Sequence, residues 1–127
     1  MGQQQLFLLV LGAILVGIAI TVGISMFSTG AVHAESDALL RDINEIASKA
    51  RAYFRRLPIM GGGGGSFKGA ADVTVFGADS TNVIGSYVMS LVKGNEFTLT
   101  GTGATEGVIV VAIITKNGIS GTIITLP

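Results

Sequence analysis

Few side chains in this sequence have the types and spacing that chemistry needs. The single histidine, His33, falls in an expected helix, far along the chain from any paired acid. It is expected to be a solvated or packing residue. Asp72, Asp79, Glu96 and Glu106 are not spaced as metal ligands or as an acid–base pair. There are no cysteines, which excludes disulfides, thiolate metal sites and cysteine nucleophiles together. Gly61–Gly65 is followed by Ser66, Phe67 and Lys68. A phosphate-cradling loop would need lysine and a hydroxyl residue directly after its last glycine, opening a helix. The stretch from Gly101 to Gly107 misses the dinucleotide fingerprint, because its third glycine comes one residue late. Arg51, Arg55 and Arg56 have the charge to hold a phosphate, but their place at a helix end accounts for them as a solvated face. The expectation is a protein that is not an enzyme and has no cofactor and no metal.

What remains is a matter of elements rather than reactive groups. Of the 127 residues, 49% are hydrophobic and 13% charged. Ordinary globular chains have about 25% charged residues, so part of this surface must face something other than water. Eight basic and eight acidic residues cancel. That balance predicts no nucleic-acid partner. Leu6 to Phe27 is 22 residues without a charge. At about 1.5 Å per residue, such a helix just spans a bilayer core of about 30 Å. A cleaved signal peptide would carry a basic start. Here Gly2, Gln3, Gln4 and Gln5 precede the run, so the segment is expected to be retained. Gly12, Ala19 and Gly23 share one narrow helical face, flanked by Leu8, Leu15 and Met26, and Gly17 adds a third glycine. Small residues aligned on one face let helix backbones approach closely.

Beyond Phe27 the pattern changes. Leu39, Ile43, Ile46, Ala50, Tyr53 and Leu57 recur every three or four residues, and Leu40, Ala47 and Phe54 form a parallel row. This is the apolar face of an amphipathic helix, expected to continue the first helix with a bend or melted turn near Ser28–Gly30. Pro58 ends it. Gly61–Gly65 is expected to be a flexible loop. From Asp72 the chain turns β-branched. Candidate strands are 72–76, 83–92, 97–100, 108–115 and 119–126, with hairpin signals at Gly94-Asn95 and Asn117-Gly118. The expected fold is α+β: a long N-terminal helix, apolar then amphipathic, packed on a small antiparallel sheet of about four strands. Residues 1–30 form the apolar helix. Residues 31–127 form a head, made of an amphipathic helix (31–57), a glycine-rich loop (58–70) and the sheet (71–127).

This arrangement, with Leu6–Phe27 followed by "DALLRDINEIASKARAYFRRLPIMGGGGGSF", resembles the type IV pilin family. The resemblance implies a structural subunit, a major pilin, of an extracellular helical filament at the cell surface. Its partners would be copies of itself, the inner membrane before assembly, and the pilus assembly machinery. Assembly would use Gln3, Gln4, Gln5, Leu8, Gly12, Leu15, Gly17, Ala19, Gly23 and Met26. A pseudopilin of a secretion or uptake machine is the alternative within the family. Outside it stands a single-pass membrane-anchored interaction domain that never polymerises. The chain departs from the family at two points. The glutamate five residues into most mature members is replaced by Gln5, or by Phe7 if counting starts after Gly2, and the mid-helix proline is missing. The three glutamines are expected to pair polar groups near the start of the helix, where an unpaired amide or amine costs roughly 1–3 kcal/mol. Gln5→Leu should therefore reduce filament yield less than a Gln5→Glu carboxylate that finds no amine partner. Yields counted by negative-stain microscopy would decide, and a Leu variant more damaging than the Glu variant would count against the idea.

Overall fold

The structure, a computed structural model, describes residues 2–127. Helix α1 runs unbroken over Gly2–Arg55, 54 residues. The expected weak point at Ser28–Gly30 is helical throughout. Neither serine nor threonine breaks a helix, and Thr29 Oγ1 donates back to the Ser25 carbonyl at 3.0 Å. By internal contacts the chain divides between His33 and Ala34 into two units. The first is the apolar half of α1. The second, Ala34–Pro127, is the head.

The helix stops two residues before its apolar pattern does. Pro58 excludes helical geometry at the residue before it, and Leu57 is extended at φ −65°, ψ 145°. Leu57 was expected in the apolar stripe; past the helix end it is instead 61% exposed. Pro58–Met60 makes one 3-10 turn, closed by Gly61 at φ 83°.

The glycine run is not the flexible loop its composition suggests. It folds back and caps the helix. Gly63 N–H donates to Tyr53 O at 2.8 Å and Gly65 N–H to Phe54 O at 2.8 Å. Gly64 N–H reaches Arg56 O at 2.9 Å, and Gly62 N–H reaches Leu57 O at 3.0 Å. The last carbonyls of a helix have no partner within it, and here four successive glycine amides serve the carbonyls at and just beyond its end. Side chains would obstruct this. A Cβ on Gly63 would sit 2.7 Å from Tyr53 Cε1 and would also collide with the Ser66 carbonyl.

Four strands follow: β1 Gly85–Ser90, β2 Glu96–Gly103, β3 Ile109–Thr115 and β4 Gly118–Thr125. They form one antiparallel sheet in chain order. The expected strand at 72–76 is instead a 3-10 turn, Val73–Phe76. Asp72 caps it by accepting from the Thr74 amide at 2.8 Å and from the Thr74 hydroxyl. Gly77 closes it at φ 84°. A local aspartate cap and a left-handed glycine outcompeted the β-branched pattern. β1 also starts later than the apolar run, because Asn82 Oδ1 accepts from the amides of Ile84 and Gly85 and holds a turn there.

The core lies between α1 and one face of the sheet. Leu39, Ile43, Phe97, Leu99, Val110, Ala112 and Ile114 are at most 1% exposed. Each large apolar side chain buried this way contributes about 1.5–3 kcal/mol. Aromatics that are scattered in the sequence meet at the C-terminal end of α1. Phe67 packs on Phe54 and on Phe97, with ring centroids 5.0 Å apart in both pairs. Phe76 lies edge-on to Tyr53 at 5.1 Å.

Gly63→Ala should destabilise the head by about 1–3 kcal/mol through overpacking. Gly61→Ala, with open space around it and only the left-handed backbone to strain, should cost about 1 kcal/mol. Thermal unfolding of the full chain in detergent would rank them. Equal, negligible shifts would mean that the run is a mere tether.

Candidate assembly surface

The first unit has no interior. Every large apolar side chain from Leu6 to Phe27 is at least half exposed, and Phe7 and Phe27 reach 75% and 80%. This helix is long and apolar enough to cross a membrane. Its threonine adds no polar demand, because Thr21 Oγ1 donates to the Gly17 carbonyl at 2.7 Å. Gln3, Gln4 and Gln5 are exposed, as are Leu8, Leu15, Gly17, Ala19, Gly23 and Met26, while Gly12 is half-buried. A shallow apolar groove runs between Leu8, Leu9, Gly12, Ala13, Val16 and Gly17. It brings Gly17 to the groove of Gly12, whereas the wheel pattern had grouped Gly12 with Ala19 and Gly23. A Cβ on Gly12, Gly17 or Gly23 would meet nothing within 4 Å. No contact inside this chain requires glycine there.

The residues expected to pack the head are mostly brought together. Leu39, Ile43, Ile46, Ala47, Ala50 and Tyr53 are buried, and Leu40 and Phe54 are half-buried. Only Leu57 is displaced outward. The sequence reading missed Phe67, Val73 and Phe76, all buried, because they sit in turns where periodicity carries no signal. It also missed Gly101. A Cβ there would lie 3.1 Å from Tyr87 Cε1 and 3.3 Å from Ile43 Cδ1. The bare backbone lets Tyr87, its cross-strand partner, lie over the sheet and reach α1.

Two carboxylates of α1 tie the helix to the rest of the head. Asp42 Oδ2 accepts from Tyr87 Oη at 2.5 Å and from Asn82 Nδ2 at 2.9 Å. Burial, followed by the bond to Asp42 and its charge, pushes the Tyr87 hydroxyl upward, so it remains a donor. Glu35 Oε1 accepts the Thr105 amide at 2.9 Å, which anchors the β2–β3 turn. Gly103 makes room, since a Cβ on it would lie 2.5 Å from that oxygen. The outer face of the sheet is uncharged apart from Glu96 at the start of β2. Val88, Thr100, Val111 and Ile123 form one cross-strand row, and Ser90, Thr98, Ile113 and Gly121 form the next.

No family model, no curated protein and no solved structure matches the chain. The fold is established by its own geometry: an α+β unit in which the second half of α1 packs on a four-stranded antiparallel sheet.

Hydrogen bonds from the Thr105 hydroxyl, then from its amide, hold the Glu35 carboxyl below its ordinary value of 4.5. Folding thus favours the ionised form. The contribution is fully present above the unfolded value and is lost as pH falls through the folded one. Glu35→Gln should reduce stability at pH 7 by roughly 0.5–1 kcal/mol, kept small by solvent screening. The gap to wild type should close as pH falls through the lowered folded value of Glu35. Thermal melts at neutral and acid pH test this, and a gap independent of pH would refute it.

Proposed function

We propose that this chain is the structural subunit, equivalent to a major pilin, of a type IV pilus-like extracellular filament. The observation that carries the reading is the contrast between the two units. The head has a closed core, whereas the first half of α1 exposes fifteen large apolar side chains from Leu6 to Phe27. At about 1.5 kcal/mol or more for each such side chain, hiding that surface from water is worth roughly 20 kcal/mol gross. The bilayer supplies this cover before assembly, and neighbouring copies supply it in a polymer.

The glycines favour the polymer over a permanent membrane anchor. Each destabilises a helix by roughly 1 kcal/mol relative to alanine, and alanine would fit at Gly12, Gly17 and Gly23 without touching anything in the chain. A second helix backbone lying in the groove accounts for their smallness. The bilayer alone does not. Gln3, Gln4 and Gln5 would then pair with polar groups of neighbouring subunits near the start of each helix.

Negative-stain microscopy of sheared surface material should show filaments built of this chain. Gly12→Leu and Gly23→Leu keep the segment apolar, so membrane insertion should be unchanged. Overfilling a packed contact costs about 1–3 kcal/mol, and the cost recurs at every subunit, so filament yield should fall sharply. Normal yield from both variants would reject the packing role. Absence of filaments from wild-type material would favour the anchored domain.

A further inference from the structure

We infer that the two ends of the head carry complementary charge and dock copies of this chain head to tail. This deepens the filament reading and rests on it. An antiparallel sheet sends alternate turns to opposite ends. The Phe67 amide donates to Gly94 O at 3.1 Å, and the Phe67 ring packs on Phe54. The β1–β2 turn therefore lies beside the C-terminal end of α1. The Lys116 amide donates to Asn95 O at 3.2 Å, which places the β3–β4 turn at the same end. The bond from Thr105 to Glu35 places the β2–β3 turn at the opposite end.

The charges divide accordingly. Arg55, Arg56, Lys68, Lys93 and Lys116 all lie at the first end and are all exposed. An acid among them, Glu96, is held by Lys93 at 3.4 Å. The other end carries Glu35, Asp37 and Glu106, and the nearest base on α1 is Arg41, one turn further along from Asp37. Asp37 and Arg55 are 18 residues apart on one helix, or about 27 Å. The Debye length in physiological salt is about 8 Å. The two ends therefore cannot neutralise each other within one head. The basic end keeps five like charges together, and the acids of a second copy relieve that repulsion.

A separate feature marks the basic end as a contact. Leu57, Ile59 and Met60 are 61%, 92% and 68% exposed. They are not a loose tail. Met60 N–H donates to Leu57 O at 2.9 Å and Gly61 N–H to Pro58 O at 3.0 Å, and the glycine cap holds the turn from behind. An ordered apolar knob beside Arg55 and Arg56 has the anatomy of a protein interface, an apolar centre with a charged rim. Its occupant is the acidic end of the next copy.

The test uses the full chain with two double variants. Arg55→Glu/Arg56→Glu cancels the net positive charge of the basic end and sets two acids beside the apolar knob, facing the acidic end of the next copy. Asp37→Lys/Glu106→Lys makes both ends basic and leaves the Glu35 tie intact. Either alone should lower filament yield at least tenfold, given that like charges juxtaposed across an interface cost several kcal/mol. Expressed together they should co-assemble in alternation and restore yield to within about twofold of wild type. In detergent, the same mixture should form complexes in low salt that dissociate in about 0.5 M salt, while each variant alone stays monomeric. This second measurement reads the docking even if wild type makes no filaments, an outcome that would sink the filament reading. Four results would overturn the inference. The variants could assemble like wild type. The mixture could fare no better than its members in either assay. Association in detergent could ignore salt. Finally, only the Arg55/Arg56 variant could fail, which would mean that the basic end meets something else, such as an anionic lipid surface.

Discussion

A sheet of four strands cannot close a core by itself, and in this head the segment of α1 from Ser36 to Tyr53 closes it. The constraint is geometric. One face of β1, β2 and β3 presents Tyr87, Phe97, Leu99, Val110, Ala112 and Ile114, all buried. The helix must lay one continuous stripe along that face, which its three- and four-residue spacing provides. β4 lies at the sheet edge beyond this cover. Ile124 is paired with the fully buried Val110, yet it is 45% exposed. The head is therefore as wide as one helix can shelter, plus one strand.

Everything at the C-terminal end of α1 serves the same closure. The helix has to end where the aromatic cluster needs space, and its last carbonyls must be satisfied close to Phe54 and Phe67. Water cannot serve groups packed that closely. A run of glycines solves both problems, because its amides approach the helix end without side chains in the way. Composition suggests a tether; the bonds make it a stopper. The same economy appears at Gly101 and Gly103, where missing side chains admit the Tyr87 ring and the Glu35 carboxylate.

The glycines of the first unit differ in kind. In the head, Gly62, Gly63, Gly64, Gly85, Gly101, Gly103 and Gly107 are crowded by neighbours that leave no room for a side chain, whereas Gly12, Gly17 and Gly23 are surrounded by nothing. A residue that weakens its own helix and relieves no contact within the chain points outside it. The same reasoning applies to charge. Asp42 and Glu35 are used within the head, as ties between helix and sheet. The five bases at one end and the acids Asp37 and Glu106 at the other hold no such tie, apart from the pair of Lys93 with Glu96. Polarity along the head is thus separable from the forces that fold it.

The sequence by itself determined the elements with strong periodicity. The uncharged run, the amphipathic stripe, three of the four expected turns of direction in the sheet, and the α+β pairing of helix with sheet were all legible from Leu6–Phe27, from Leu39–Phe54 and from the β-branched stretches after Val83. In each case the signal was repeated, so burial of one face dominated local preference. Tertiary structure alone decided the rest. Leu57 fits the stripe by spacing, but Pro58 removes it from the helix. Val73–Phe76 has strand-like residues, but the Asp72 side chain and Gly77 close a turn before any strand can form. The five glycines carry no pattern at all, and their role exists only once the carbonyls of Tyr53, Phe54, Arg56 and Leu57 are in place to receive them. Likewise, charges scattered along the chain acquire two ends only after the hairpins fold. Periodicity records which face a residue shows its own element. It holds no record of which distant backbone group will need a partner, because that demand arises from the packing itself.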